Sequence, residues 1–280
     1  MTYECHGHII LDGISYDGAV ARHERGVDEA FVRRNLKTCA EHGVIFYRDG
    51  GDKHGVTTFA RKIAHEYGID YRTPCYIIHK KGYYGHMFGR AFETLKEYRQ
   101  LVKEAERSGA DFIKLTASGI VDYANGGGVT GPPTCEEFPE LVKIAHGEGF
   151  AVMVHASGAD NIKRALEAGV DSIEHGYYID NEACRIMAQT GAVWVPTIAV
   201  AANMIGAGRF DDGAVQSIFD GHKNALAEAR DLGVLIACGS DAGAVGVLQG
   251  QGAHDEDLIL RTMGINPDPG NNKISEVFRR

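Results

Sequence analysis

Residues 150–175 read FAVMVHASGADNIKRALEAGVDSIEH, and this stretch predicts the unit from which the fold is built. The continuous apolar run Phe150–His155 is typical of a strand buried on both faces of a parallel sheet. Ala159–Ala168 is amphipathic and is followed by Gly169, a common residue at helix C-termini. A second short run, Asp171–Glu174, comes directly afterwards. The stretch therefore predicts a strand, a helix and a second strand in succession.

The same alternation extends over most of the chain. Eight runs have the character of buried parallel strands: Tyr3–Leu11, Val44–Arg48, Cys75–His79, Asp111–Thr116, Phe150–His155, Asp171–Glu174, Ala192–Thr197 and Val234–Gly239. Six stretches between them predict amphipathic helices: Val27–His42, Phe92–Ser108, Thr134–Gly147, Ala159–Ala168, Asp180–Thr190 and Asp212–Leu232. In the third of these helices, Thr134 and Glu137 have the spacing of a capping box.

Eight strands that alternate with helices over roughly 260 residues match the strand number and chain length of a (β/α)8 TIM barrel. The alternative is a doubly wound α/β sheet, which uses the same units. We find no linker, low-complexity segment or further repeat along the chain. We therefore predict a single domain over residues 1–280, with a polar, Gly/Asn-rich C-terminal tail at about 268–280.

The composition argues against several classes of function. Lys and Arg number 29 against 38 Asp and Glu, so the net charge is −9, whereas proteins that bind nucleic acid need a basic face. No window approaches the roughly 18 apolar residues that span a bilayer, and the N-terminus does not resemble a secretory signal. The six cysteines form no Cys-x-x-Cys motif, which fits reduced thiols. We expect a cytoplasmic protein that acts on a small molecule and binds neither nucleic acid nor membrane.

Residues that can carry chemistry gather at the ends of the predicted strands. The C-terminal ends of barrel strands supply catalytic groups in this fold. The residues at or near these ends are His6, His8, Lys114, His155, His175 and Asp241. His6 and His8 are two residues apart and so face the same side of a strand. The pattern predicts one polar site at one end of the barrel.

Imidazoles and a carboxylate together suit a borderline divalent cation such as zinc. The further imidazoles allow a second ion, and two ions roughly 3.5–4 Å apart need a bridging anion. Lys114 stands in an apolar strand, where a free ammonium would be costly, and a lysine carbamylated by carbon dioxide presents a carboxylate. The alternatives for Lys114 are a lysine that snorkels to solvent and a Schiff-base nucleophile, although a Schiff-base enzyme would not need the other five residues.

Taken together, these motifs resemble the metal-dependent amidohydrolase superfamily, in particular its imidazolonepropionase-like and prolidase-like branch. The matching pieces are His6-Gly7-His8 with Gly13, Gly109-Ala110-Asp111-Phe112-Ile113-Lys114, Val154-His155-Ala156, Ile173-Glu174-His175-Gly176 and Gly239-Ser240-Asp241-Ala242-Gly243. The resemblance covers about residues 4–263. Each piece is weak alone, but the combination is specific.

The resemblance implies a centre with two divalent metal ions, and zinc is the expected metal. It implies this division of ligands: His6, His8 and Asp241 on one ion, and His155 and His175 on the other. Carboxylated Lys114, a carbamate derived from carbon dioxide, would bridge the two ions together with a hydroxide. Lys114 and Asp241 are therefore the predicted catalytic residues.

The implied reaction is attack of metal-bound hydroxide on the carbonyl of an amide, cyclic amide or dipeptide. Asp241 would take the proton from the nucleophilic water and pass it to the leaving nitrogen. The same ligands would serve a lactonase, an esterase or a phosphotriesterase, and the sequence does not separate these. A non-catalytic barrel scaffold is the alternative from another class, although unused ligands buried without metal would cost stability.

Members of the family usually carry a small β-sandwich built from segments before and after the barrel. Here the first metal-binding strand begins almost at Met1, and the segment that follows the barrel is short. We therefore expect a barrel that lacks most or all of this sandwich. The apolar flank left uncovered could form the interface of a homo-oligomer.

The loops after the third and sixth predicted strands carry candidate substrate-binding residues. These are Tyr84, His86, Tyr177 and Tyr178, and a tyrosine hydroxyl there could hydrogen-bond a tetrahedral oxyanion. Gly126–Gly131 formally matches a dinucleotide-binding fingerprint, but Pro132-Pro133 follows it and no helix opens directly on the glycines. A flexible loop over the active site is the preferred interpretation.

Overall fold

The computed structural model describes residues 1–280 as an α/β fold. The strands are β1 (Thr2–Gly7), β2 (Val44–Asp49), β3 (Asp70–Arg72), β4 (Ile77–Lys80), β5 (Gly89–Phe92), β6 (Ile113–Thr116), β7 (Val152–Ala156), β8 (Ser172–His175) and β9 (Val193–Val195). The helices are α1 (Tyr16–Ala21), α2 (Glu29–Glu41), α3 (Val56–Ile63), α4 (Leu95–Arg107), α5 (Phe138–Gly147), α6 (Ala159–Glu167), α7 (Asn181–Thr190), α8 (Ile198–Met204), α9 (Asp212–Asp231), α10 (Gln251–Thr262) and α11 (Asp268–Val277). No helix combines the length and apolar character needed to cross a membrane.

All strand pairs are parallel, as the continuous apolar runs predict. The strands form one sheet in the order β1-β2-β3 and a second in the order β5-β4-β6-β7-β8-β9. Thr116 pairs with His155, and Ala156 pairs with His175. This register brings the C-terminal ends of β6, β7 and β8 to one edge, where the predicted site residues lie.

The predicted strand Val234–Gly239 does not form a continuous ladder. Residues 235–242 nevertheless hydrogen-bond to both neighbours: Trp194 N donates to Leu235 O at 2.8 Å, and Cys5 N donates to Cys238 O at 2.8 Å. Side chains take the place of other ladder bonds, because Cys238 N donates to Asn271 and Ser240 N donates to the Glu4 carboxylate. The segment therefore occupies a strand position while part of its hydrogen bonding goes to side chains.

Two strands and one helix start differ from the sequence-based expectations. β3 and β5 are only three and four residues long and lack an apolar run, so the pattern did not predict them. The capping box is wrong: α5 starts at Phe138, and Glu137 makes no side-chain cap. The Thr134 hydroxyl instead donates to Ala117 O at 2.9 Å, which joins this segment to the residues after β6.

The expected polar tail is also wrong, because residues 268–277 form helix α11. Its Ile274 and the adjacent Phe278 are buried with residues that include Phe112 and Val193, at the amino ends of the strands. Gly270 permits the close approach, since a methyl group there would lie 2.2 Å from Ile236 O. The C-terminal helix thus covers the end of the strands opposite the candidate site.

Candidate active site

The six residues predicted as metal ligands surround one cavity of about 410 Å³. They are His6, His8, Lys114, His155, His175 and Asp241. The ring centroids of His155 and His175 are 4.5 Å apart, and those of His6 and His175 are 4.8 Å apart. Side chains from β1, β6, β7, β8 and the segment after residue 239 therefore converge on one volume.

Within this cluster, potential ligand atoms of His6, His175 and Asp241 all lie within 4.8 Å of one another. Asp241 Oδ1 is 3.6 Å from Nε2 of both His6 and His8. Neutral imidazole nitrogens and a carboxylate oxygen at this spacing fit a divalent cation. The division of the ligands between two ions stays a prediction.

Three of the four histidines have their second ring nitrogen occupied, which fixes the nitrogen that faces the cavity. His6 Nδ1 lies 2.6 Å from Glu174 Oε2, and His175 Nδ1 lies 2.9 Å from Thr197 Oγ1. His155 Nε2 lies 2.9 Å from Gly119 O. Such partners orient the histidines of metal sites.

Lys114 is the most unusual member of the cluster. Its side chain is 2% exposed, and its Nζ atom has no hydrogen-bond partner. Burial lowers the pKa of this amine to about 8. A buried amine without a partner is costly, and no hydrogen bond to a neighbouring side chain offsets that cost at Nζ.

Burial also sets the charge of the other ligands. Burial, together with the nearby charge of Lys114, lowers the pKa of His8 to about 3 and of His155 to about 4. The pKa of His6 is likewise well below its usual value because the ring is buried. Burial raises the pKa of Asp241 to about 7. Neutral imidazole is the form that binds metal, and a bound cation would favour the ionised form of Asp241.

The backbone around the site is strained. His175 has a φ of +66°, Thr197 of +49° and Asp241 of +60°. A left-handed conformation in a residue other than glycine costs on the order of 1–3 kcal/mol and persists where the surroundings enforce it. At Asp241 the surroundings do so through its N–H, which donates to His6 O at 2.7 Å.

The predicted substrate-binding residues divide into two groups. Tyr84, His86 and Tyr177 line the cavity. Tyr178 does not: its hydroxyl accepts a hydrogen bond from Gly128 N at 2.9 Å, and thereby ties the Gly126–Gly131 loop to the end of β8. Tyr178 lies in the turn after β8 and has a left-handed φ of +60°.

Sequence reasoning missed two groups of residues at this site. The first group also lines the cavity: Tyr16, Phe88, Tyr123, Arg209 and Phe210. The second group supports the ligands from behind: Arg48, Glu174 and Thr197. A signal existed for Arg48, which follows four apolar or aromatic residues in β2, and for Glu174, which directly precedes the candidate ligand His175 in β8.

Four histidines, a lysine and an aspartate gather at the carboxyl ends of the strands of two parallel sheets. This arrangement places the chain among the α/β proteins with a candidate metal-ligand site. The chain belongs to the amidohydrolase family, whose model matches residues 21–272. The resemblance inferred from the strand-end motifs is therefore confirmed at the level of the family.

Individual relatives agree with this assignment. The chain is 29% identical to the ochratoxinase of Aspergillus niger over 211 residues, which is 74% of this chain and 40% of the relative. It therefore spans less than half the length of that curated protein. The fold also matches a solved Xaa-Pro dipeptidase with a TM-score of 0.76 at 24% identity, covering 99% of this chain and 72% of the other. The crystal structure of A. niger ochratoxinase matches with a TM-score of 0.73 at 23% identity, over 98% and 68% of the two chains.

Proposed function

We propose that this chain is a metal-dependent hydrolase of carbon–nitrogen bonds, acting on an amide, a cyclic amide or a dipeptide. The observation that carries the proposal is the convergence of the four histidines and Asp241 around the buried, unpartnered Nζ of Lys114. Membership of the amidohydrolase family supports the same reaction class.

The proposed cofactor is a pair of divalent ions, with zinc as the first choice. His6, His8 and Asp241 would hold one ion, His155 and His175 the other, and a carbamate on Lys114 would lie between them. Ions held there would lower the pKa of a water molecule and polarise a carbonyl oxygen. The buried Nζ supports the carbamate, because a carboxylate added to Nζ could bind metal, whereas an ammonium cannot.

Within this scheme Asp241 moves the proton. Its Oδ1 atom lies at the edge of the ligand cluster, 3.6 Å from two imidazoles, and its side chain is 18% exposed to the cavity. A carboxylate in this position can accept a proton from the attacking water and return it to the leaving nitrogen. The strained backbone at residue 241 holds the side chain there.

The cavity supports a substrate that has a large apolar group and one negative charge. Its walls include Tyr16, Phe88, Tyr123 and Phe210, and Arg209 is the one arginine that lines it. Guanidinium groups bind carboxylates in a bidentate manner. We therefore propose N-acyl amino acids and dipeptides with a free carboxylate as first substrates, in agreement with the dipeptidase among the neighbours.

We further propose that residues 1–280 form one eight-stranded barrel. The hydrogen bonds of residues 235–242 to β9 and β1 support its closure, and the neighbours in the family support the architecture.

The test is hydrolysis by purified protein supplied with zinc and bicarbonate. Release of amine from apolar N-acyl amino acids and dipeptides is followed by mass spectrometry, beside the matching esters, lactones and a phosphotriester. We expect turnover of amides that is lost in Asp241→Asn. Faster turnover of esters, lactones or phosphotriesters than of any amide would replace the proposed reaction with the alternative one, and no turnover of any substrate would favour a scaffold.

A further inference from the structure

The side chain of Glu174 links the candidate ligand His6 to the interior of the protein. Glu174 Oε2 lies 2.6 Å from His6 Nδ1, and the two side chains are 0% and 1% exposed. Glu174 directly precedes His175 in β8, so one strand supplies both a candidate ligand and the partner of another.

Arg48, from the end of β2, fixes the Glu174 carboxylate in turn. Its Nη2 atom lies 2.8 and 2.9 Å from the two Glu174 oxygens. Its Nη1 donates to Ser172 Oγ at 3.0 Å, and its Nε donates to Cys5 O at 2.6 Å. The guanidinium carbon also lies 4.3 Å from the Phe278 ring centroid. Because all three nitrogen atoms of the guanidinium are hydrogen-bonded, neither it nor the carboxylate can reorient easily.

Stability alone does not account for this buried pair. Removing two charges from water costs about as much as their attraction returns, and apolar residues often replace such pairs without loss. The contact of Glu174 with His6 supplies another reason. By accepting the Nδ1–H of His6, Glu174 selects the tautomer whose Nε2 lone pair faces Asp241 and the cavity.

The other histidines lack an equivalent partner. His175 and His155 are held by a hydroxyl and a backbone carbonyl, and His8 Nδ1 has no hydrogen-bond partner. His6 alone is supported from behind by a charged carboxylate. A carboxylate partner increases the basicity of a ligating histidine more than a neutral acceptor does.

We propose that Glu174, locked by Arg48, is a positioning residue that fixes His6 as an Nε2 ligand and strengthens metal binding at this site. The inference rests on the metal centre of the proposed function. The hydrogen-bonded series Arg48–Glu174–His6 makes His6 the most strongly oriented of the candidate ligands.

The test compares Glu174→Gln with Asp111→Asn. Asp111 is a matched control, because its buried carboxylate pairs with Arg61 at 2.8 and 2.9 Å but bonds none of the candidate ligands. Zinc and cobalt affinities of chelator-treated protein are measured by competition with a chelator. We expect Glu174→Gln to bind metal roughly 10–100-fold more weakly and Asp111→Asn to bind it as the wild type does. Equal affinity in wild type and Glu174→Gln, or an equal loss in Asp111→Asn, would overturn the inference.

A second measurement needs no metal. Nitrogen-15 spectra of histidine in the apo protein report the ring tautomer, and we expect a single Nδ1–H form for His6 that becomes a mixture in Glu174→Gln. If Glu174→Gln does not fold, Ser172→Ala serves in its place. It removes one contact of Arg48 and the hydrogen bond that the Ser172 hydroxyl donates to Glu174, and it leaves the ion pair; we expect it to weaken metal binding severalfold. A mixed tautomer in the wild type contradicts the inference alone, whereas wild-type protein that binds neither metal contradicts the proposed function as well.

Discussion

The position of His8 depends on a glycine in the neighbouring strand connection. A methyl group at Gly50 would lie 2.1 Å from His8 Cε1 and 2.5 Å from Nε2. Contacts this short cannot be kept, so the imidazole would have to move. No hydrogen bond to Nδ1 keeps the His8 ring in place.

We therefore predict that Gly50→Ala weakens zinc binding by roughly tenfold or more through displacement of His8. The control is Gly221→Ala in the middle of α9, where no atom lies within 4 Å of the added methyl group. That change should leave affinity unaltered and stabilise the helix by about 0.5–1 kcal/mol. Zinc affinities by chelator competition check both statements, and unchanged affinity in Gly50→Ala would show that His8 is not a ligand.

Arg209 tests the proposed charge of the substrate. A charged hydrogen bond contributes about 1.5–3 kcal/mol, so Arg209→Ala should reduce kcat/KM for carboxylate-bearing substrates by about tenfold or more. Substrates whose carboxylate is capped as an amide should lose little. The exposed Arg185 of α7 provides the control, Arg185→Ala. Equal losses for free and capped substrates would remove Arg209 from substrate recognition.

At the residue scale, the sequence predicted site residues where a reactive side chain lies at or near the end of an apolar run. His6, His8, Lys114, His155 and His175 stand out in this way, and all of them line the cavity. The partners of the ligands were harder to find. Thr197 and Gly119 act through a hydroxyl and a backbone carbonyl, whose placement depends on loop conformations that one sequence does not reveal.

Among the elements, α5 is joined to the residue before β8 by a pair of side chains, His146 and Asp171. His146, in the last turn of α5, lies 2.9 Å from Asp171 Oδ2, which also accepts from Val152 N at 2.7 Å. The hydrogen bond to Asp171 raises the pKa of His146 above its value of 6.5 in the unfolded chain. The extra stability is therefore full below pH 6.5 and is lost as the pH rises through the folded-state pKa.

We predict that His146→Gln destabilises the protein more at pH 5.5 than at pH 8.5. The side chain is 40% exposed, so the difference should be no more than about 1 kcal/mol. Urea unfolding at the two pH values measures it, with His65→Gln at an exposed position as the control. A larger effect at pH 8.5 would reverse the sign of the assigned linkage.

One buried side chain of helix α11 hydrogen-bonds to the backbone of residues 235–242. Asn271 Oδ1 accepts from Cys238 N at 2.8 Å. Asn271→Ala leaves this buried N–H without a partner and should cost about 1–3 kcal/mol of unfolding free energy. The exposed neighbour Asn272 provides the control. Equal unfolding midpoints for Asn271→Ala and Asn272→Ala would show that α11 is not needed to hold this segment.

At the element scale, the sequence patterns predicted seven of the nine strands and six of the eleven helices, with errors at their ends. The segment Val234–Gly239 and helix α11 show why the rest escaped prediction. The first satisfies its backbone partly through Glu4 and Asn271, which are distant in sequence. The second is polar in composition, and only its packing beneath the strands shows that Ile274 and Phe278 belong to the core.

At the scale of the whole molecule, the fold brings side chains from five separate parts of the chain to one cavity. Two sets of contacts hold these side chains in place. His6 is hydrogen-bonded to Glu174 in β8, and His155 and His175 are hydrogen-bonded to Gly119 and Thr197 in the loops after β6 and β9. Helix α11 acts from the opposite end, since Phe278 stacks against Arg48, which in turn holds Glu174. The homo-oligomer interface expected from the sequence stays a prediction, which sedimentation of the purified protein would test.

The central claim is a two-metal centre bridged through Lys114, and metal content tests it most directly. Elemental analysis of protein grown with zinc and bicarbonate should give about two divalent ions per chain, and fewer in Lys114→Ala and Asp241→Asn. The exposed Lys143 provides the control, and Lys143→Ala should match the wild type. One ion per chain that is insensitive to Lys114 would contradict the bridged centre, and protein without metal under these conditions would contradict the hydrolase itself.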